Sequence, residues 1–285
     1  MTIDRLDLEG VRRIVRLALE EDLGREGDVT TSAVVPCGRH AAGRIVARSS
    51  LVVAGLPVAR EVFLALDPSL RFEALSSEGE CAPPGRVLAT VSGDARPILE
   101  GERTALNFLG RMCGIATAAR AAVEEVEGTG AVVLDTRETA PGLRILDKYA
   151  VAAGGATNHR LGLHDAVMIK DTHLAVAGPV GVAVARALAA GHPREKVTAE
   201  VRTEEEMEEA IRAGAGRILL DNMDVAAMRR CVARASGRAR LEASGGLRPG
   251  TLREVAETGV HDLSLGWLTH STRAADVALE MEAAP

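Results

Sequence analysis

The chain has 285 residues, of which 47% are hydrophobic and 26% are charged, enough for one large domain or two modest domains with buried cores. Its net charge of −6 and aromatic content of 2% argue against a nucleic-acid-binding surface, which needs clustered basic residues and rings for stacking. The sequence contains no run of 18 or more apolar residues and its N-terminus lacks the apolar centre of a signal peptide, so we expect a cytoplasmic protein with no membrane partner. Four scattered cysteines without a CxxC pair indicate neither a zinc site nor a disulfide framework.

The first hundred or so residues alternate helical and strand-like patterns. An amphipathic helix is predicted over Leu8 to Leu23, followed by the strand-like AAGRIVARSSLVVAGL, the helix PVAREVFLAL and hairpin-like segments through GRVLATVSG. These elements predict a separate domain of packed α and β layers. The segment RPILEGERTALNFLGRMCGIATAARAAVEEVEG then predicts a helical connection to the rest of the chain.

From about Gly130 onward, short β-branched runs alternate six times with amphipathic helical runs, which predicts a parallel sheet built from βαβ units. Periodicity alone leaves open whether this sheet closes into a barrel or lies open as a doubly wound sheet. Polar residues follow one strand after another, and this distribution favours a barrel, which draws its site from all strand ends. These strand-end residues are Asp135, Lys170, Asp171, Glu200, Asp221, Ser244, Gly245, Gly246 and Gly266.

Each strand-end residue also has a purely structural explanation. Asp135 and Asp221 could cap helices, the Thr203 to Glu206 capping box could serve only its own helix, and Ser-Gly-Gly could be a turn. Six successive strands that end in such residues outweigh these separate explanations. We therefore predict that this face of the sheet is a functional site.

Half of the predicted site suits a phosphorylated ligand. The glycines of EASGGLRPGTL allow backbone N–H groups to approach an anion, and the following helix N-terminus and Gly266 would complete a phosphate pocket. Glu200 and Asp221 are hard oxygen donors that suit Mg²⁺ or a ribose diol, and Mg²⁺ usually keeps substrate phosphates among its ligands. This half predicts a phosphosugar or a diphosphate.

The other half of the predicted site is cationic. Arg137, His159, Arg160 and Lys170 would bind an anionic organic substrate, because arginine recognises carboxylates in a bidentate manner and lysine adds a point charge. Arg103 could be a solvated helix charge on spacing alone. His173 and His270 are expected to be structural rather than catalytic bases.

Six segments together resemble the quinolinate phosphoribosyltransferase family, the carboxylating nicotinate-nucleotide diphosphorylases. They run nearly end to end in the family's order, and their NHR, IKD, DNM and SGG elements are specific. The segments are EEDLGREGDVTTSAVVP, ERTALNFLGRMCGIAT, DTRETAPGLRILDKYAVAAGGATNHRLGLHDAVMIKD, ILLDNM, EASGGL and LSLGWLTHS.

The resemblance implies an α/β fold with an N-terminal α/β sandwich domain and an incomplete, about seven-stranded α/β barrel. We expect the sandwich over residues 1–105 and the barrel over 106–271, with a C-terminal helix over 272–285 that packs back on the sandwich. The resemblance also implies a homodimer in which the active site is shared across the interface.

The implied reaction transfers a phosphoribosyl group from phosphoribosyl pyrophosphate to quinolinate, with Mg²⁺, and gives nicotinate mononucleotide, pyrophosphate and CO₂ for NAD biosynthesis. Lys170, Glu200 and Asp221 would be catalytic, and the two carboxylates would also hold metal and ribose. The implied substrate-binding residues are Arg103 from the partner, Arg137, Glu138, His159, Arg160, Lys170, Ser244, Gly245, Gly246 and Gly266.

Glu138 departs from the family pattern, in which a lysine that touches the anionic substrates follows DTR. Reversing a charge about 4 Å from a carboxylate replaces attraction by repulsion, each of order ~4 kcal/mol at an effective dielectric constant near 20. Glu138 could instead turn outward and pair with Arg144 or another arginine. The alternatives are therefore a phosphoribosyltransferase for a different heteroaromatic substrate, or a non-catalytic phosphate-binding paralogue, which the intact Lys170, Glu200 and Asp221 speak against.

Overall fold

The computed structural model describes residues 6–283. No single helix among these residues is long and apolar enough to cross a membrane, although the bent pair Asp171–Ala177 and Val180–Ala189 meets the length and composition test together. The elements are, in chain order, α1 (Leu8–Leu23), α2 (Val29–Val34), β1 (His40–Ala47), β2 (Leu51–Val52), α3 (Leu56–Leu66), β3 (Arg71–Ala74), β4 (Cys81–Ala82), β5 (Val87–Asp94), α4 (Ala95–Glu125), β6 (Val132–Leu134), α5 (Arg144–Ala153), β7 (Val167–Ile169), α6 (Asp171–Ala177), α7 (Val180–Ala189), a 3-10 turn (Arg194–Lys196), β8 (Val197–Val201), α8 (Glu204–Arg212), β9 (Arg217–Asp221), α9 (Val225–Ala235), β10 (Arg240–Ser244), α10 (Leu252–Ala256), β11 (Asp262–Ser264), α11 (Trp267–His270) and β12 (Val277–Ala283).

The first of two compact units contains residues 6–120, 139–155 and 267–283 of the described chain. Its antiparallel sheet has the order β12-β1-β5-β3. Helix α1 confirms the predicted bounds, and it begins there because the Asp7 side chain accepts the N–H of Gly10 at 3.0 Å. A bidentate ion pair joins Arg111 of α4 to the fully buried Asp147 of α5 at 2.8 and 2.7 Å, which explains why the 139–155 segment belongs to this unit.

The C-terminal segment differs from the expected helix over 272–285. Within the described residues it forms strand β12, which pairs antiparallel with β1. The physical reason is the two-residue alternation of Val277, Leu279 and Met281, which gives a strand one apolar face despite the helix-favouring alanines and glutamates around it. Leu279 and Met281 lie over Gly43, where a Cβ atom would come within 2.8 and 3.0 Å of their side chains. The strand therefore forms one edge of this sheet.

The second unit contains residues 121–138 and 156–266. Its parallel sheet has six strands in the order β6-β11-β10-β9-β8-β7, alternating with helices as the six strand–helix repeats predicted. Thr157 forms one further parallel bridge with Leu134, so the seventh expected strand is reduced to a single bridge. No pairing joins β7 to β6 among the described residues. The expected α/β class is thus confirmed; where an incomplete barrel of about seven strands was expected, the parallel sheet has six strands and one further bridge.

The unit boundaries differ from the expected division at residues 105 and 106. That position falls inside α4, a 31-residue helix whose uninterrupted pattern lacks a break there. The first unit ends at Arg120, and it also includes residues 139–155 and the chain after Gly266.

Candidate active site

The carboxyl ends of the parallel strands lie side by side in the second unit. Ser244, the last residue of β10, is in register with Asp221 on β9 and with Ser264 on β11. Glu200, near the end of β8, is in register with Leu219 of β9. The parallel register therefore brings the predicted strand-end residues to one edge of the sheet, where ligands bind in α/β proteins.

An acidic cluster lies at the carboxyl ends of strands β7, β8 and β9. It consists of Asp171, Glu200 and Asp221, and Arg202 crosses it: the guanidinium donates from Nη2 to Asp171 Oδ2 at 2.8 Å and from Nε to Asp221 Oδ2 at 3.0 Å. Burial raises the pKa of Glu200 above its ordinary value, Asp221 and Asp171 add to the rise, and Lys170 and Arg202 oppose it. The cluster thus concentrates negative charge around a half-buried carboxylate.

Glu200 and Asp221 provide hard oxygen donors of the kind that Mg²⁺ prefers. No group of three or more His, Cys, Asp or Glu side chains in the described part of the chain could hold a metal ion by itself. Two carboxylates fit Mg²⁺ only when water and substrate oxygens complete its coordination, which is the usual arrangement for Mg²⁺ with phosphorylated substrates.

Two arginines lie close together in the same unit. Burial lowers the pKa of the Arg160 guanidinium, the like charge of Arg137 lowers it further, and Asp165 opposes both effects. Arg160 is fixed by a hydrogen bond from Nη1 to the carbonyl of Ala166 at 3.0 Å. Two neighbouring guanidinium groups repel each other, and an anion between them would relieve that repulsion.

The loop that carries Arg160 is held by Asp135 at the end of β6. The fully buried Asp135 carboxylate accepts the N–H of His159 at 2.7 Å and the side-chain amide of Asn158 at 2.8 Å. The His159 ring accepts the N–H of Arg160 at Nδ1, 2.7 Å away, and contacts Glu242 Oε2 through Nε2 at 3.3 Å. Because Nδ1 is an acceptor, the ring proton lies on Nε2 and points to Glu242.

Glu242 was not predicted from the sequence. Its side chain is fully buried inside the sheet, where it contacts His159, the hydroxyl of Ser264 and, at 3.6 Å, Arg217 Nη2. Burial alone would raise the pKa of Glu242, but the hydrogen bonds from His159 and Ser264 and the charge of Arg217 hold it below the ordinary value. The available signal was its two-residue spacing from Ser244, which places both side chains on the same face of β10.

The glycine segment after β10 retains the geometry of an anion-binding turn. Gly245 and Gly246 have positive φ angles of 86° and 68°, which successive non-glycine residues rarely adopt. However, the expectation that the next helix N-terminus would add to a phosphate pocket is wrong. The N–H groups of Gly250 and Leu252, before and at the start of α10, donate to the Glu125 carboxylate at 3.0 and 2.6 Å, so a side chain already occupies that helix end.

The structure also decides the helix-capping alternatives. Asp224, not Asp221, caps α9 by accepting the N–H of Ala227 at 2.7 Å, and Asp135 holds a loop rather than a helix end. Thr203 does cap α8, accepting the N–H of Glu206 at 3.1 Å. Asp135 and Asp221 thus need another explanation than helix capping.

Expectations drawn from the sequence also concern the roles of His173 and His270 and the orientation of Glu138. His173 accepts the N–H of Lys170 at 3.0 Å and His270 contacts the hydroxyl of Ser271 at 2.6 Å, which agrees with structural roles. Glu138 is exposed, and its backbone N–H is bound by the Thr136 hydroxyl at 3.1 Å.

Two further predicted site residues are Arg103 and Gly266. Arg103 is exposed on α4 in the first unit, and Gly266 follows β11 two residues after Ser264, which is in register with Ser244. Arg202 is the residue at this edge that sequence reasoning missed. Its position two residues after Glu200 could have indicated it, because alternate residues along a strand point to the same face of the sheet.

The chain matches two family profiles: "Quinolinate phosphoribosyl transferase, N-terminal domain" over residues 28–113 and the corresponding "C-terminal domain" over residues 115–280. It is 40% identical to the chloroplastic carboxylating nicotinate-nucleotide pyrophosphorylase of Oryza sativa subsp. japonica over 95% of this chain and 78% of that protein. It is 38% identical to the probable carboxylating nicotinate-nucleotide pyrophosphorylase of Bacillus subtilis (strain 168), over 92% of this chain and 90% of that protein.

Solved structures give the same result. The NadC structure from Streptococcus pyogenes superposes with a TM-score of 0.94 at 33% sequence identity, covering 99% of each chain. The nicotinate-nucleotide pyrophosphorylase from Francisella tularensis superposes with a TM-score of 0.91 at 31% identity, also covering 99% of each chain.

Proposed function

The chain belongs to the quinolinate phosphoribosyltransferase family, and from that premise we propose which of its residues perform the family's reaction. The enzyme is a pentosyltransferase, a carboxylating nicotinate-nucleotide pyrophosphorylase of NAD biosynthesis. It transfers the phosphoribosyl group of phosphoribosyl pyrophosphate to quinolinate and releases pyrophosphate and CO₂. The matches do not favour the alternatives of a different heteroaromatic substrate or a non-catalytic paralogue.

Quinolinate binding is assigned to the cationic residues of the strand-end edge. Arg137 and Arg160, whose neighbouring charges repel each other, would bind its carboxylates, and the exposed Lys170 would add a third positive charge. The match to both domains of the quinolinate phosphoribosyltransferase family is the single observation that best supports this dianionic substrate. His159 would contribute through the loop that it orders, since both of its ring nitrogens already have protein contacts.

The phosphoribosyl half is assigned to the acidic cluster and to the glycine turn. Glu200 and Asp221 would bind the ribose hydroxyls and hold Mg²⁺, partly through water, while Ser244, Gly245, Gly246 and Gly266 would bind the 5′-phosphate. When bound, Mg²⁺ would neutralise the charge of the departing pyrophosphate.

The chain's own groups would act mainly by positioning and by electrostatics. As the bond between ribose C1 and pyrophosphate breaks, C1 gains positive charge, which the carboxylates of Glu200 and Asp221 would stabilise while Lys170 keeps quinolinate aligned. Attack by the ring nitrogen on C1 then leaves that nitrogen positively charged. The bond between C2 and its carboxylate then breaks and releases CO₂; the bonding pair stays on C2, stabilised by the adjacent cationic nitrogen, and takes up a proton there.

A homodimer and a cytoplasmic location also belong to the proposal. The exposed Arg103 on α4 would reach the quinolinate site of a second copy of the chain. The rice relative is named as chloroplastic and two tobacco relatives as mitochondrial, so location differs among relatives. Sedimentation of the purified protein tests the dimer, and loss of activity in Arg103→Glu with unchanged sedimentation tests the shared site.

The reaction is tested by incubating purified protein with quinolinate and phosphoribosyl pyrophosphate, with Mg²⁺ or with EDTA. We expect nicotinate mononucleotide and pyrophosphate in equal amounts by mass spectrometry with Mg²⁺, and loss of both with EDTA. Folded protein that forms neither product with Mg²⁺ would contradict the proposed function, while equal turnover in EDTA would contradict only the role of the metal.

A further inference from the structure

We propose that Arg202 is a resident counter-cation that occupies Asp221 and Asp171 until a divalent cation displaces it. This inference rests on the proposed function, because it assumes that Asp221 and Glu200 hold the metal ion with phosphoribosyl pyrophosphate. Arg202 would then be a positioning residue that controls when Asp221 becomes available.

Arg202 engages the two carboxylates in the way that a bridging cation would. Its Nη2 lies 2.8 Å from Asp171 Oδ2 and its Nε lies 3.0 Å from Asp221 Oδ2. The Asp221 side chain is only 14% exposed, whereas the side chains of Arg202 and Asp171 are 59% and 50% exposed. The guanidinium therefore covers the less accessible carboxylate from the solvent side.

The second oxygen of Asp221 is also bound. Asn222 Nδ2 donates to Asp221 Oδ1 at 2.8 Å. Asn222 has a left-handed backbone with a φ angle of 53°, and its side-chain amide fills the space that a Cβ atom on Gly245 would need. A metal ion that approaches Asp221 from solvent competes with Arg202, whose long side chain can swing away, whereas the short Asn222 side chain lies against Gly245.

The Arg202 backbone is anchored while its side chain can leave. Its N–H donates to Glu206 Oε2 at 2.7 Å, and the neighbouring Thr203 caps α8. A long arginine side chain on a fixed backbone can exchange one carboxylate partner for another at small cost, since exposed ion pairs contribute little to stability. Arg202 would thus limit binding of the free metal ion without preventing binding of the metal together with phosphoribosyl pyrophosphate.

The test measures Mn²⁺ binding directly by electron paramagnetic resonance, without substrates and then with phosphoribosyl pyrophosphate. We expect Arg202→Gln to bind Mn²⁺ alone about two- to fivefold more tightly than the unchanged protein, as expected for removal of an exposed ion pair. Arg202→Lys keeps the charge and should fall between them. Adding Asp221→Asn to Arg202→Gln should remove the gain.

Arg212→Gln is the matched control, because it makes the same charge change at the other end of α8, about 13 Å along the helix. It should bind Mn²⁺ as the unchanged protein does, and circular dichroism should show all variants folded. Equal or weaker Mn²⁺ binding by both Arg202 variants would overturn the inference and leave the proposed function intact. No Mn²⁺ binding by the unchanged protein, even with phosphoribosyl pyrophosphate, would overturn both the inference and the proposed metal site.

Discussion

The two ends of the parallel sheet use similar charged residues in opposite ways. At the amino end, the first residues of three strands form a closed group: Asp262 is buried, and both Arg217 and Arg240 donate to it at 2.7 and 2.6 Å. At the carboxyl end, Glu200 is half-buried and Lys170 is exposed.

This difference separates stability from function within one sheet. A buried carboxylate whose oxygens are bound by two arginines has no capacity left for a ligand, but removing it leaves uncompensated charge. Carboxylates and cations that solvent reaches can exchange their partners for a substrate or a metal ion. The ion pairs at the amino end should therefore determine folding, and the charges at the carboxyl end should determine activity.

The largest expected effect is a loss of protein stability when the ion pairs at the amino end of the sheet are broken. Asp262→Asn leaves Arg217 and Arg240 facing a neutral amide, which should lower the free energy of unfolding by about 3–5 kcal/mol. Urea unfolding measures the loss, with Glu257→Gln as the control because Glu257 is exposed on the same unit and should change stability by less than about 0.5 kcal/mol. A loss below about 1 kcal/mol for Asp262→Asn would show that the buried group does not stabilise the sheet.

The next effect is on catalysis at the carboxyl end. Lys170→Met removes a charge proposed to bind quinolinate and should lower kcat/KM for quinolinate about a hundredfold, or about 2.7 kcal/mol, without changing stability by more than about 0.5 kcal/mol. Lys196→Met makes the same change at the amino end, in the exposed 3-10 turn, and should leave kcat/KM unchanged. Similar kinetics for the two variants would remove the functional distinction between the ends.

A smaller effect is expected at Glu138. Because this carboxylate is exposed, Glu138→Lys should lower KM for quinolinate only about two- to fivefold, through electrostatic attraction that weakens as salt is added. Steady-state kinetics at low and high ionic strength measure the change. A gain above a hundredfold would instead mean that Glu138 excludes quinolinate, and would restore the alternative of a different substrate.

The smallest expected effect concerns the cysteine thiols, of which two are buried and two are exposed in the described part of the chain. Burial raises the pKa of Cys113 to about 12 and that of Cys231 to about 11, whereas Cys37 and Cys81 are exposed. Iodoacetamide at pH 8 should therefore label Cys37 and Cys81 only, with no loss of activity. Rapid labelling of Cys113 in native protein, detected by peptide mass spectrometry, would contradict its placement.

Local patterns in the sequence predicted the helices and strands well, because alternating apolar residues and cap residues act over short distances. Helix α1 has the predicted bounds, and the six strand–helix repeats are present. The C-terminal segment was predicted wrongly because its alanines and glutamates favour a helix in isolation, whereas pairing with β1 selects the strand.

The strand-end residues could be predicted for a similar reason, since parallel strands bring their carboxyl ends together. The side-chain contacts that hold this region together could not be predicted from the sequence. The contacts of Glu242 with His159, of Arg202 with Asp171 and of Glu125 with the start of α10 join residues 83, 31 and 127 positions apart. Such contacts depend on the packed strand order, which periodicity does not encode.

Hydrogen–deuterium exchange tests most directly whether the carboxyl end binds the substrates. Exchange would be measured for the protein alone, with quinolinate, and with phosphoribosyl pyrophosphate and Mg²⁺, so that no turnover occurs. Slower exchange should appear in peptides covering residues 158–161, 170–173, 200–203 and 244–247, with no change at 194–196, 216–217, 238–240 and 260–262. Protection confined to the amino-end peptides, or absent from all of these peptides, would contradict the assignment of the active site.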